Sequence, residues 1–148
     1  MEKAKLITLI IVALFFVQCN ETFREKSPNE LRIELQSHEN SSPKRYIKLE
    51  NVVMNKNKIR DAGIFRSAKY DGYLISGKVV NSATIARYKD LKITVDLFSK
   101  TKTLISQETY VFYEYYEPNS TKNFEIKINP SSKMESFGVS VTEIFPVY

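Results

Sequence analysis

Cysteine is almost missing from this chain: Cys19 is the only one in 148 residues, so no disulfide can form within it. Histidine is as scarce. With His38 as its single imidazole, the chain lacks the clustered His and Cys ligands that zinc centres use, and a His-based catalytic triad could draw on that residue alone. Tryptophan is absent and glycine occurs four times; Gly63 and Gly72 belong to no phosphate-cradling loop. No block of five or six like charges appears, which argues for a mixed, solvated surface. No apolar run reaches the roughly 20 residues of a membrane-spanning helix.

The longest apolar run, Leu6 to Val17, follows Lys3 and Lys5 and ends at Gln18-Cys19. A basic start and about a dozen apolar residues form a secretory signal peptide, expected over residues 1–18. Phe16-Val17-Gln18-Cys19 resembles the lipobox of bacterial lipoproteins, with Phe, Val and Gln where Leu-small-small is usual, a looseness found in lipoproteins of the Bacteroidetes type. The resemblance implies cleavage before Cys19 and diacylation of its thiol. Two or three acyl chains, at about 0.8 kcal/mol per buried methylene, hold a protein on a bilayer where one does not. The expected location is the bacterial cell envelope, lipid-anchored, with the outer membrane favoured.

Without Lys3, Lys5 and Glu2, the 22 basic and 17 acidic side chains fall to 20 and 16, a formal charge of +4. Export and this mild charge argue against a nucleic-acid partner. About 130 residues from Cys19 onward suffice for one domain with a hydrophobic core. Residues 19–43 are polar and are expected to be a lipidated N-terminus and tether, interrupted by Leu31-Arg32-Ile33-Glu34-Leu35, which alternates like a short exposed strand.

Nine Tyr and nine Phe favour strands over the rest. Ile47, Leu49, Asn51 and Val53 share one period-two face, with Asn55 to Lys58 ending the run. The same pattern recurs in Tyr73-Ile75-Gly77-Val79, Leu91-Ile93-Val95-Leu97, Phe124-Ile126-Ile128, and Phe137-Val139-Val141 with Glu143. A long strand covers Leu104 to Tyr116, and Ile64-Phe65 reads as either an edge strand or a turn of helix. Turn chemistry every ten or so residues predicts an all-β, antiparallel immunoglobulin-like β-sandwich of about seven strands over residues 44–148.

Gly77-Lys78-Val79-Val80-Asn81, the Tyr88 to Val95 strand and Phe124-Glu125-Ile126 after Pro118 resemble FxLyD-type immunoglobulin-like domains of bacterial envelope proteins. Ser99-Lys100-Thr101 is similar to small Bacteroidetes lipoproteins, while Phe98-Ser99 replaces the Tyr-Asp common in the family. The resemblance implies a structural or binding module without a shared catalytic set.

Glu114 and Glu117 could form a catalytic carboxylate pair, but near Pro118 they read better as solvated turn charges. Asp71, Asp90 and Asp96 lack the spacing of a calcium loop. Asn119-Ser120-Thr121 matches a glycosylation pattern and reads as a turn. The aromatic run Tyr110 to Tyr116 puts aromatics on both faces of one strand, which marks Tyr113, Tyr115 and Tyr116 as a candidate binding surface. The expected function is a noncatalytic, membrane-anchored envelope module, either structural or contacting another envelope protein or a glycan, with no metal or cofactor. The alternative is an envelope glycan or peptide hydrolase.

Overall fold

A computed structural model describes residues 25–148. The expected signal peptide and Cys19 lie outside them. The chain divides into two compact units, residues 1–31 and 32–148.

Within the first unit, the Ser27 hydroxyl accepts the Glu30 N–H at 3.3 Å while the Glu30 carboxylate accepts the Ser27 N–H at 2.7 Å. This is a reciprocal capping box, followed by proline at the first helical position, where its missing N–H does no harm. It starts helix α1, Pro28–Ser41. The strand expected over Leu31–Leu35 is therefore helical. Leu31, Ile33 and Leu35 are exposed, so no buried sheet face rewards their alternation. Of the tether expected over residues 19–43, residues 19–24 lie outside the described residues, and within the rest Pro28–Ser41 is helical with Glu39 buried.

Six strands follow: β1 (Ile47–Arg60), β2 (Lys69–Asn81), β3 (Tyr88–Phe98), β4 (Leu104–Tyr116), β5 (Ser120–Ile128) and β6 (Ser136–Pro146). They form two antiparallel three-stranded sheets, ordered β1-β2-β5 and β4-β3-β6. This is the A-B-E and C′-C-F arrangement of an immunoglobulin-like sandwich. The expected all-β sandwich is thus present. Among the described residues no seventh strand stands beside β6.

The core comes from the inward faces of both sheets: Ile75 and Val79 on β2, Leu91, Ile93, Val95 and Leu97 on β3, and Phe124, Ile126 and Ile128 on β5. Phe112 and Phe124 meet edge to face across the sandwich, their centroids 6.1 Å apart. Gly77 lies opposite Phe124 in the ladder, and a Cβ there would stand 2.8 Å from the Phe124 ring. The glycine makes room for the aromatic ring beside it.

Two strands depart from simple alternation. Asn51 takes a left-handed φ of 52°, and the β1–β2 register shifts between Glu50 and Val53. Val52 and Met54 therefore pack on the core and the expected inward residue Val53 is exposed. The strand also runs through Asn55–Lys58 to Arg60. On β6 a register shift opposite Lys92 and Ile93 buries Ile144 and sends Glu143 outward, against the expectation that Glu143 shares a face with Val141.

Candidate functional site

Three crossovers join the sheets, and two of them meet at Asn81. Its buried amide nitrogen lies 3.1 Å from the Ala86 carbonyl, 3.0 Å from that of Tyr116 and 3.0 Å from that of Glu117. Its oxygen accepts the Ala83 N–H at 2.9 Å. Buried backbone groups need partners, and here the two N–H donors of one side chain are shared among three carbonyls while its oxygen takes an N–H, across the β2–β3 and β4–β5 connections.

The β2–β3 connection also receives the end of α1. The Glu39 carboxylate accepts N–H donors from Thr84 at 2.7 Å, Ile85 at 3.0 Å and Ala86 at 2.7 Å. Tyr88 donates its hydroxyl to the Glu39 carbonyl at 3.0 Å. Burial pushes the Glu39 carboxyl up, and the three backbone donors, with the Thr84 hydroxyl, more than offset it, holding the group below its ordinary value. Burial, with Glu39 nearby, raises the Tyr88 phenol. The same helix end places His38 Nδ1 3.0 Å from the Tyr46 hydroxyl. These contacts are structural and hold the crossover that presents Arg87.

Arg87 stands at the edge of the outward face of β4-β3-β6. Its guanidinium lies 4.1 Å from the Tyr115 ring centroid and pairs with Glu117 at 2.7 Å. Tyr115 is 49% exposed and Tyr113 is 82% exposed. Tyr116 is only 2% exposed. It pairs with Tyr88, and burial raises its phenol above the ordinary range. Of the three candidate tyrosines, Tyr113 and Tyr115 share the outer face, and Tyr116 belongs to the core. Opposite-face placement of Tyr115 and Tyr116 follows from their adjacency in a strand.

Across the sheet, Lys89 separates Tyr115 from Phe145, and Lys92 separates Val111 from Glu143. Lys92 Nζ sits 2.5 Å from Glu143 and 5.7 Å from the Phe145 ring. Glu143, by hydrogen bond and charge, raises the Lys92 ammonium. Further along, Thr94 bonds Thr109 at 2.9 Å and also meets Thr142. The face therefore grades from an aromatic and cationic end to a hydroxyl stripe.

The carboxylates weighed for catalysis are separately engaged: Glu114 pairs with Lys122 at 3.0 Å, and Glu117 with Arg87. Asp71 pairs with Lys127 at 2.5 Å, and Asp96 accepts from Gln107 at 2.7 Å. Asp90 and Asn119 take left-handed φ values of 54° and 51°; for Asn119 this agrees with the turn reading. No group of three His, Cys, Asp or Glu among the described residues could hold a metal ion. A groove of about 480 Å³ is lined by Ile33, Gln36, Ser37, Asn40, Ser41 and Tyr148, and a second of about 260 Å³ lies at Gly77 with Glu125 on its wall.

No family model matches the chain, and no curated protein matches it in sequence. Among solved structures it is similar to the Salmonella enterica trimeric lipoprotein SadB, at 11% identity and a TM-score of 0.42, over 99% of this chain and 84% of that one.

Proposed function

We propose that the chain is a bacterial envelope lipoprotein, held by acyl chains on Cys19, whose sandwich works by binding and not by catalysis. The observation that carries the binding reading is Tyr113, which stands 82% exposed beside a Tyr115 already stacked on Arg87. Tyrosine and arginine supply large contact area with polar tips, and they dominate the energetics of protein interfaces. The partner we infer is another envelope protein, docked over Tyr113, Tyr115 and Arg87. The fit of Phe124 against Gly77 supports the FxLyD-type reading, since it joins two of the motifs on which that resemblance rests.

Both halves can be tested in intact cells. Cys19→Ser should abolish incorporation of labelled fatty acid; normal labelling of that variant sinks the anchor. A photo-crosslinking residue at Val111, on the same outer face, should capture a reproducible protein. Recovery of no protein, or of glycan alone, would refute the proposed partner.

A further inference from the structure

The hairpin joining β1 to β2 ends in a feature that its own turn chemistry does not explain. Strand β5 stops at Ile128, opposite Tyr73, so Lys69–Gly72 of β2 continue with the end of β1 as a two-stranded ribbon. Four strand residues carry it about 13 Å past its neighbour. Gly63 and Arg66 then bridge, their N–H groups donating to each other's carbonyls at 2.9 and 3.2 Å. This leaves Ile64-Phe65 as a two-residue turn at the tip. The segment is thus neither the edge strand nor the helical turn offered by its sequence.

Two-residue hairpin turns favour Asn, Asp and Gly, yet this one carries two large apolar side chains. Ile64 is 94% exposed and Phe65 99% exposed. Scattered apolar residues on a surface are ordinary; an adjacent pair at the end of a projecting ribbon is concentrated where it can enter another phase. Behind it, Arg60, Arg66 and Lys69 lie between the tip and the level of the ladder where Lys58 faces Tyr70, with Asp61 the acid among them. That one acid is paired with Lys58 at 2.5 Å. Tyr70, half exposed, lies farther back with the Lys56 ammonium 5.9 Å from its ring.

An apolar end, a cationic collar and an aromatic residue behind it match a bilayer surface, where an acyl boundary lies beneath anionic headgroups and an interface that favours tyrosine. A hydrophobic protein pocket would accept Ile64 and Phe65 but has no general need for Arg60, Arg66 and Lys69 around its mouth. We propose that the Ile64-Phe65 tip inserts into the interface of a bilayer carrying anionic headgroups and that the cationic collar holds it there. This deepens the envelope reading and rests on it only for membrane proximity.

The chain has no tryptophan, so Phe65→Trp in the full chain places its only indole at the tip. On phosphatidylglycerol-containing vesicles the emission of that indole should shift to the blue and be quenched by lipids brominated on the acyl chain. On pure phosphatidylcholine both effects should be far smaller. Adding Arg66→Gln and Lys69→Gln should lower the inserted-to-solvated ratio on the anionic vesicles roughly thirtyfold, about a factor of five for each cation removed from an anionic surface. Tyr113→Trp, on the outer face of the other sheet, is the unquenched control.

An indole at the tip that stays solvated on anionic vesicles overturns the proposal, as does quenching equal to that of the control. Equal insertion into anionic and neutral vesicles overturns the role of the collar. An indole that is solvated on vesicles but buried by solubilised envelope protein also overturns the proposal and reassigns the tip. Fatty-acid labelling at Cys19 reads the anchor separately, so either idea can fail while the other stands.

Discussion

The Glu39 carboxylate accepts the backbone N–H of Ala86 at 2.7 Å, across 47 residues of sequence. Thr84 and Ile85 donate to the same carboxylate, so a side chain from α1 acts as the bound anion of the β2–β3 crossover. Successive N–H groups converging on a carboxylate are a strong, charge-assisted arrangement. Asn81 braces the same crossover from within. The edge of the aromatic face, where Arg87 follows Ala86, is thereby fixed from two sides.

Glu39 should make stability depend on acid. Its folded-state carboxyl is held below the ordinary 4.5, so its contribution is fully present above that value and fades as pH falls through the folded one. Glu39→Gln keeps a single side-chain acceptor oxygen and turns an amide donor toward a backbone donor. The expected cost at pH 7 is about 1–3 kcal/mol. Urea midpoints of the two proteins should converge as the pH drops below 4.5; a constant gap across that range would refute the assignment.

Asn81→Ala should be more damaging, because it removes a hydrogen-bond partner from the carbonyls of Ala86 and Tyr116 and from the Ala83 N–H at once, while the Glu117 carbonyl keeps the Ser120 hydroxyl. Loss of a buried, satisfied network is expected to cost about 3 kcal/mol. Equilibrium urea denaturation measures it, and a loss under about 1 kcal/mol would mean that water replaces the amide.

The sandwich is legible where alternation runs unbroken. Leu91, Ile93, Val95 and Leu97 are all buried, and Phe124, Ile126 and Ile128 likewise. Alternation misleads at Asn51, where a left-handed residue moves the inward side from Val53 to Val52 and Met54. Nothing in period-two spacing announces such a bulge. The helix is legible in Ser27-Pro28-Asn29-Glu30, a capping signature that the alternation of Leu31, Ile33 and Leu35 obscures. Glu39 is not legible at all, since its partners lie 45 to 47 residues away. At the candidate face, alternation along β4 already parts Tyr113 and Tyr115 from Tyr116, and the pairing of Tyr116 with buried Tyr88 gives which side faces the core.

Gly77→Ala should destabilise through Phe124. The added Cβ would lie 2.8 Å from the ring and 3.2 Å from the Glu50 carbonyl oxygen. Overpacking of this kind costs about 1–3 kcal/mol. In a Phe124→Leu background most of that penalty should vanish, leaving the smaller conflict with the Glu50 carbonyl. A double-mutant cycle measured by thermal or urea unfolding reads the coupling; additive effects would show that the ring is not what the methyl meets.

The three tyrosines should separate stability from binding. Tyr113 is largely solvated, so Tyr113→Ala should change stability by no more than about 0.5 kcal/mol. Tyr115→Ala removes the stack under Arg87, worth about 0.5–1 kcal/mol at an exposed site. Tyr116→Ala empties a core position and should cost about 3–5 kcal/mol. Capture through the Val111 crosslinker should fall for Tyr113→Ala and Tyr115→Ala while both remain folded. If Tyr113→Ala captures its partner as efficiently as the parent chain, Tyr113 does not contribute to the contact, because no loss of folding could then mask or mimic the result.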